Sequence, residues 1–310
     1  MLVVGGLLIS EYAATTDGAA FNPETGTWRR IPPRPMAGRV LHAVWTGDEL
    51  VTLGTEGISL DKLTTAAAFN PTTNLWRTIA LPPSAQVPQE VVWTGTHVLT
   101  WQPEGTSSGA LYDPKQDRWT PIPPPPAVAS PASRAVWIGE ELATEGAVLP
   151  DNGGPVEQRL LLFNPTRNAW RISTPPPTFI RGWPHMDPIW TGREVVLNSD
   201  GGAGTYAYDP QTNTWRTISN PDLSIASGYF RGVQLDNGQV VVRVGNPQQP
   251  LQILDPVTGT WSTSGPPPGA LPGPDGALVS TGTSVFHWGF TEKDGYAAVQ
   301  SPNGAWLWTP

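Results

Sequence analysis

The stretch Phe21-Asn22-Pro23-Glu24-Thr25-Gly26-Thr27-Trp28-Arg29 decides how this chain is read, because it keeps returning. It comes back as Phe69-Asn70-Pro71 to Trp76-Arg77, Tyr112-Asp113-Pro114 to Trp119, Phe163-Asn164-Pro165 to Trp170-Arg171, Tyr208-Asp209-Pro210 to Trp215-Arg216, and Leu254-Asp255-Pro256 to Trp261. In each copy the proline precedes the tryptophan by five residues, and a weaker seventh copy runs Ser301-Pro302-Asn303-Gly304-Ala305-Trp306. An Asn or Asp before Pro starts a turn through its side-chain oxygen, and Pro fixes the next φ. Two residues before the tryptophan stands Gly26, Asn74, Asp117, Asn168, Asn213 or Gly259, the residue types that tolerate positive φ. A type I turn followed by a left-handed residue is a tight hairpin. Each phrase therefore predicts a strand, a turn and a second strand that opens at the tryptophan.

A second phrase alternates with the first: Val44-Trp45-Thr46-Gly47, Val92-Trp93-Thr94-Gly95, Val136-Trp137-Ile138-Gly139 and Ile189-Trp190-Thr191-Gly192, each followed by an apolar run, with weaker copies at Leu235-Asp236-Asn237-Gly238 and Ser280-Thr281-Gly282. Thr-Gly or Asn-Gly between β-rich runs is a short hairpin. Each unit thus holds four strands, a to d in chain order. The marker tryptophans at 28, 76, 119, 170, 215, 261 and 306 are 48, 43, 51, 45, 46 and 45 residues apart. Four short strands per unit of this length are the signature of a propeller blade. The expectation is an all-β, seven-bladed propeller forming one domain over 1–310. Its blades are placed at about 1–35, 36–83, 84–126, 127–177, 178–221, 222–268 and 269–310.

Gly5-Gly6 after a hydrophobic strand, the aromatic-Asn/Asp-Pro turn and the strand-d tryptophan together resemble the kelch repeat. The Val-Trp-Thr-Gly phrase is similar to bacterial kelch-type proteins related to the central propeller of galactose oxidase. The resemblance spans nearly the whole chain and implies fold far more than function. The chain departs from the pattern in keeping the double glycine only in the first unit; Gly54, Gly146, Gly245 and Gly289 are single remnants, and Gln102 and Asn198 stand nearby in units 3 and 5.

Composition narrows the function classes. The chain has 310 residues, a net charge of -8, no cysteine, 33 glycines and 36 prolines. An acidic balance argues against nucleic acid, which needs a basic field. No run reaches the length of a membrane span. Without cysteine there are no disulfides, thiolate metal sites or cysteine nucleophiles. That also removes the cross-linked tyrosine–cysteine copper site that the galactose oxidase resemblance would otherwise imply. His42, His97, His185 and His287 are not paired at metal-ligand spacing. No cofactor is expected. Asp151-Asn152-Gly153-Gly154 and Asp200-Gly201-Gly202 have weak Ca²⁺-binding character, although such sequences are more often plain turns.

Strands b, c and d are counted seven times and strand a six times, because the first unit starts at strand b with Leu2-Val3-Val4. Either the first blade has three strands or residues upstream of Met1 complete it. The second is the expectation; the compartment is left open, and the cell envelope or the outside of the cell would follow if those residues carried an export signal. Met1 to Ser10 lacks the basic region and cleavage site of a signal peptide and is read as strand.

Alternating strand directions put the a–b and c–d hairpins at one end of every sheet and the b–c and d–a loops at the other. The first end is uniform. The second varies, with b–c loops Leu7–Gly18, Thr55–Thr65, Ala147–Gln158 and Ser199–Gly204, and variable loops on a rigid scaffold are where sites usually lie. Three residues before the strand-a tryptophans stand His42, Glu90, Arg134 and Asp187; Arg39, Arg181 and Arg231 are read as lying just upstream, in d–a loops. If strand a is innermost, as the kelch resemblance implies, His42, Glu90, Arg134 and Asp187 ring a channel mouth. The plainer reading is that they bond to water and to one another. The densest cluster is Arg181-Gly182-Trp183-Pro184-His185-Met186-Asp187. Trp183 stands outside the repeat, and the residues alone leave open whether it stacks a sugar ring or plugs the channel. The marker tryptophans are expected to pack between neighbouring sheets, and Arg29, Arg77, Arg171 and Arg216 to be solvated on the outer strands.

The ligand-binding candidates are therefore His42, Glu90, Arg134, Arg181, Trp183, His185, Asp187 and Arg231, with no assigned catalytic residue. The leading expectation is a non-catalytic, monomeric propeller that binds a glycan or a protein partner through the b–c/d–a end, with no nucleic acid and no membrane span. The alternative is a carbohydrate-active enzyme, a mutarotase, epimerase or lyase, since the kelch resemblance extends to sialic acid mutarotase and ring opening needs only a placed acid and base.

Overall fold

The repeated turn forms as its chemistry requires. In the computed structural model, Asn70 Oδ1 accepts the backbone N–H groups of Thr72 at 2.9 Å and Thr73 at 3.1 Å. Asp113, Asp209 and Asp255 receive the N–H groups two and three residues on in the same way. The residue two before the tryptophan is left-handed in each of the six strong copies: φ is 67° at Gly26, 56° at Asn74, 49° at Asp117 and Asn168, 57° at Asn213 and 71° at Gly259. At the a–b hairpins, Thr46 Oγ1 donates to Glu49 O at 3.0 Å and accepts from Glu49 N at 3.1 Å. Thr94 with His97 and Thr191 with Glu194 repeat that exchange.

The structure describes all residues except 6, 9–12, 23, 57–61, 104–108, 130–133, 150–152, 155, 178–187, 199–203, 219–229, 245–250, 265–276, 289–304 and 309–310. The described chain contains no helix and is built of antiparallel sheets in chain order. Sheet 1 has three strands, Leu2–Val4, Gly18–Asn22 and Thr27–Ile31, which are b, c and d. Sheet 2 is Arg39–Trp45, Leu50–Thr55, Thr65–Asn70 and Leu75–Thr78; sheet 3 is Glu90–Trp93, Val98–Trp101, Gly109–Asp113 and Arg118–Pro121. Sheet 4 is Ala135–Trp137, Leu142–Val148, Glu157–Asn164 and Ala169–Ile172, with Val128–Ala129 also paired to its second strand. Sheet 5 is Ile189–Trp190, Val195–Asn198, Thr205–Asp209 and Thr214–Ile218; sheet 6 is Phe230–Gln234, Val240–Val244, Gln252–Asp255 and Thr260–Thr263.

Two details depart from the sequence expectation. In sheet 7, Ala277–Ser280 pairs with Val285–Trp288, and Ala305–Trp308 pairs directly with the latter, Trp306 opposite His287. Among the described residues Trp306 therefore stands on the third strand of its sheet, directly beside the second. Its run Ala305-Trp306-Leu307-Trp308 is apolar throughout, which suits an inner strand position as well as an outer one. In sheet 4, Ala147 and Gln158 belong to the strands, paired with each other, so the b–c loop there is shorter than 147–158.

The chain forms two compact units, Met1–Pro124 with sheets 1 to 3 and Pro125–Pro310 with sheets 4 to 7. Sheets 2 and 3 in the first unit, and sheets 4 to 7 in the second, meet through their first strands: Arg39–Trp45 lies against Glu90–Trp93, and Ala135–Trp137, Ile189–Trp190, Phe230–Gln234 and Ala277–Ser280 adjoin in turn. The middle strands are covered on both faces. Every residue of Leu50–Thr55, and Thr65 to Phe69, is buried. This is why they read as continuous apolar or small-residue runs without alternation. Between sheets 2 and 3 the core gathers Val51, Leu53, Ala66, Ala68, Tyr112 and Trp119. The glycine kept after strand b is a close-approach residue: a Cβ on Gly54 would lie 2.1 Å from Arg39 O.

Candidate functional site

At the a–b/c–d end the side chains are occupied in joining sheets. The marker tryptophans of sheets 1 to 5 each pack on the aromatic residue of their own c strand, with ring centroids 5.1 Å apart for Phe69 and Trp76 and 5.0 Å for Tyr112 with Trp119 and for Tyr208 with Trp215. In three of them the indole N–H reaches back to the preceding sheet: Trp76 to Pro32 O at 2.8 Å, Trp119 to Ala80 O at 2.8 Å, Trp215 to Thr174 O at 2.9 Å. The inter-sheet role expected of these residues is met there. Two depart from it: Trp28 is 44% exposed, and the buried indole N–H of Trp261 has no hydrogen-bond partner among the described residues.

The arginine after the tryptophan is not a freely solvated outer-strand residue, and this corrects the sequence expectation for three of the four. Arg171 donates through Nε to Glu141 Oε1 at 2.8 Å and through Nη2 to Oε2 at 2.5 Å, then reaches into the next sheet, to Tyr208 Oη at 3.0 Å and Pro210 O at 3.2 Å. Arg77 makes the same set with Glu49, Tyr112 and Pro114. Arg216 does so with Glu194 and Pro256, where Leu254 offers no hydroxyl. Glu49, Glu141 and Glu194 all occupy the fourth position of the a–b hairpin. The planar guanidinium fork suits a carboxylate on one side and a carbonyl or phenol on the other. The paired glutamates hold all three arginines above their ordinary pKa. Arg29, in sheet 1, makes a single 3.3 Å bond to Asn74 Oδ1.

The left-handed residues add a third link. Asp117 Oδ1 accepts from Tyr112 Oη at 2.7 Å and from Ala80 N of the preceding sheet at 3.1 Å; Asn213 Oδ1 accepts from Tyr208 Oη and Thr174 N. Burial pushes the Tyr112 phenol up. Burial also works to raise the Asp117 carboxyl, but the bonds from Tyr112 and Ala80 outweigh it and hold the carboxyl below its usual range.

A cleft of about 800 Å³ lies at this end between sheets 5 and 6, lined among others by Arg193, Glu194, Arg216, Gln239 and Asp255. Its charged walls are already committed: Arg216 to Glu194, Arg193 at 3.6 Å from Asp209, and Asp255 to the N–H groups of its own turn. This arrangement is structural.

At the b–c/d–a end the structure places four of the sequence candidates, Arg231 by its backbone alone. His42 lies on strand a of sheet 2, paired with Leu53 just after a register shift between Val40 and His42. Glu90 opens strand a of sheet 3 opposite Trp101. Both are half-buried and sit on adjoining strands. Arg134 precedes strand a of sheet 4, half-buried, its carbonyl 3.5 Å from Thr144 Oγ1. Arg231 is in the first strand of sheet 6, its backbone opposite Arg243. Arg181, Trp183, His185 and Asp187 lie outside the described residues, as do Asp151, Asn152 and the Asp200 segment. Among the described residues no group of three or more His, Asp or Glu side chains is placed to hold a metal, and no helix is long and apolar enough to cross a membrane.

Sequence reasoning missed Arg34 at this end. It lies in the loop between sheets 1 and 2 and is only 3% exposed. Nη2 donates to Thr65 Oγ1 at 2.9 Å and Nη1 to Gly38 O at 3.4 Å, while buried Nε has no partner.

Searches of protein-family models and of curated proteins both find no match to the chain.

Proposed function

We propose that the seven repeats form a kelch-like β-propeller whose first strands line a central channel, and that the protein binds a glycan or a protein partner through the b–c/d–a end without chemistry of its own. One contrast supports this reading. At the a–b/c–d end the strongest charges are spent on one another, in the pairs Glu49–Arg77, Glu141–Arg171 and Glu194–Arg216. At the opposite end, half-buried His42 and Glu90 stand on adjoining first strands, and the loops abandon the repeat. A rigid, cross-linked end carrying a variable one is the usual division of labour between scaffold and site.

The test is binding to a glycan array, and capture of partners, by the wild-type chain and by Trp183→Ala/Arg134→Ala. The reading expects loss of binding with an unchanged thermal melt. Binding that survives both substitutions would remove this end from consideration.

A further inference from the structure

We propose that the cleft between sheets 5 and 6 binds a neutral saccharide, one of whose hydroxyls takes the place of a tyrosine hydroxyl that other units of the repeat supply. The cleft lies at the end of the sheets opposite the one assigned above, so this site goes beyond that reading and does not rest on it.

The repeat shows what has changed at this joint. Between sheets 2 and 3, Arg77 Nη1 donates to Tyr112 Oη at 3.3 Å, and Tyr112 donates on to Asp117 Oδ1 at 2.7 Å. Between sheets 4 and 5 the same relay runs from Arg171 through Tyr208 to Asn213, at 3.0 and 2.8 Å. Arg216 is held in the same pose, with Nε and Nη2 on Glu194 at 2.8 and 2.6 Å and Nη2 also on Pro256 O at 2.9 Å. Sheet 6, however, carries Leu254 at the place of the tyrosine and Gly259 at the place of the Asp or Asn. Nη1 stands beside that glycine: a Cβ added to Gly259 would lie 3.2 Å from it. A donor fixed by its own ion pair thus remains where the sequence has replaced both members of the relay.

This joint is also where the cleft opens. Its volume is about 800 Å³ and Arg216 lines it, a size within the range of small-molecule sites. Its walls carry two positive groups, Arg193 and Arg216, and two negative ones, Glu194 and Asp255. Balanced charges favour neither a cation nor an anion, whereas hydroxyls, which both donate and accept, suit such walls. The Glu194–Arg216 pair forms the structural back wall, and the other side chains retain hydrogen-bonding capacity. The Arg193 side chain is 80% exposed and 3.6 Å from Asp209, longer than a hydrogen bond. Asp255 receives its two turn N–H groups on Oδ1, which leaves Oδ2 as an acceptor. Gln239 Oε1 accepts from Asn237, which leaves its NH2 group as a donor. Val257, 89% exposed, adds an apolar surface for the C–H face of a sugar ring.

The experiment is saturation-transfer NMR on the full chain with D-glucose, D-galactose, D-mannose and N-acetyl-D-glucosamine, followed by titration of whichever gives the strongest signal. At least one should bind saturably. Leu254→Tyr/Gly259→Asn restores the relay inside the protein, and Arg193→Ala/Gln239→Ala strips the open side of the cleft. Each should weaken binding about tenfold or more, the cost of losing hydrogen bonds to charged groups. No binding by any of the four sugars, or unchanged binding in either folded variant, overturns the proposal. Displacement of the sugar by sodium sulfate at matched ionic strength assigns the cleft to anions and overturns it too. Should Leu254→Tyr/Gly259→Asn not fold, the Arg193→Ala/Gln239→Ala comparison decides alone. Trp183→Ala/Arg134→Ala separates the two ends of the sheets. Sugar binding lost in that variant and kept in the cleft variants supports the functional reading and rejects this site. The reverse pattern supports this site and takes the sugar away from the other end.

Discussion

Replacing Arg171 by methionine removes four hydrogen bonds while keeping most of the aliphatic stem, and it isolates what the arginine does between sheets 4 and 5. The side chain of Glu141 is 13% exposed and that of Arg171 36%. Breaking a fully buried pair by deleting one partner costs about 3–5 kcal/mol, whereas an exposed pair is worth under about 1 kcal/mol. The pair lies between these limits, with solvent screening on the arginine side, so Arg171→Met should cost about 2–3 kcal/mol. In a unit of this size that lowers Tm by roughly 4–10 °C. Glu141→Gln/Arg171→Met should cost less than the sum of the single changes, with a coupling of about 1–2 kcal/mol in a urea-unfolding double-mutant cycle. Arg167→Met, on the exposed turn of the same sheet, is the control and should stay within about 0.5 kcal/mol. If Arg171→Met matches that control and the cycle shows no coupling, the arginine is a solvated outer-strand residue after all and the cross-link is wrong.

Trp119→Ala should cost about 3–5 kcal/mol, since Trp119 is 8% exposed and both packs on Tyr112 and bonds to Ala80; an unchanged melt would contradict its inter-sheet role. Asp117→Ala should cost about 1–2 kcal/mol by orphaning Tyr112 and Ala80 and placing alanine at a left-handed φ, while Asp117→Asn, which Asn213 shows to be compatible with the site, should be nearly neutral in denaturant titrations. Because the folded-state pKa of Asp117 lies below the ordinary 3.8, its ionised form adds stability above that value, and the contribution is lost as pH falls through the lowered one. Acid titration of stability should therefore be shallower for Asp117→Asn than for the wild type. Leu254→Tyr/Gly259→Asn restores to sheet 6 the phenol and carboxamide of sheet 5, and should add about 1 kcal/mol in urea by giving Arg216 the acceptor that Arg171 has in Tyr208.

The hairpins were legible because their causes are local. Asn70 acts on residues two and three ahead, and a left-handed φ at Asn74 depends on Asn74 itself. The three strands of sheet 1 could be counted for the same reason. The Glu141–Arg171 link was not foreseen, since its partners are 30 residues apart and each alone resembles an ordinary surface charge. The signal was nonetheless in the chain: glutamate at the fourth hairpin position and arginine after the tryptophan occur together in units 2, 4 and 5, and neither occurs in units 3 and 6. The strand position of Trp306 was misjudged because an Asn-Gly turn before a tryptophan looks the same whichever strand it leads into. Arg34 escaped notice because Pro-Arg-Pro reads as an exposed loop, and nothing local to those residues announces that the loop folds over Thr65.

The inter-sheet bonds have a direction, and that bears on how such an array changes length. In sheet 5, Trp215 donates toward the sheet before it and Arg216 toward the sheet after it. A unit that carries both residues therefore donates toward both neighbours, through the indole to the sheet before it and through the guanidinium to the sheet after it. Duplication or loss of one whole unit of the kind in units 2, 4 and 5 joins a donor to an acceptor of the same kind, while a break inside such a unit separates the indole or the guanidinium from its acceptor. Gene rearrangements in step with the tryptophan spacing are accordingly the ones this architecture tolerates, which fits a chain whose units differ in loop length by several residues and yet hold their turn-to-tryptophan distance fixed.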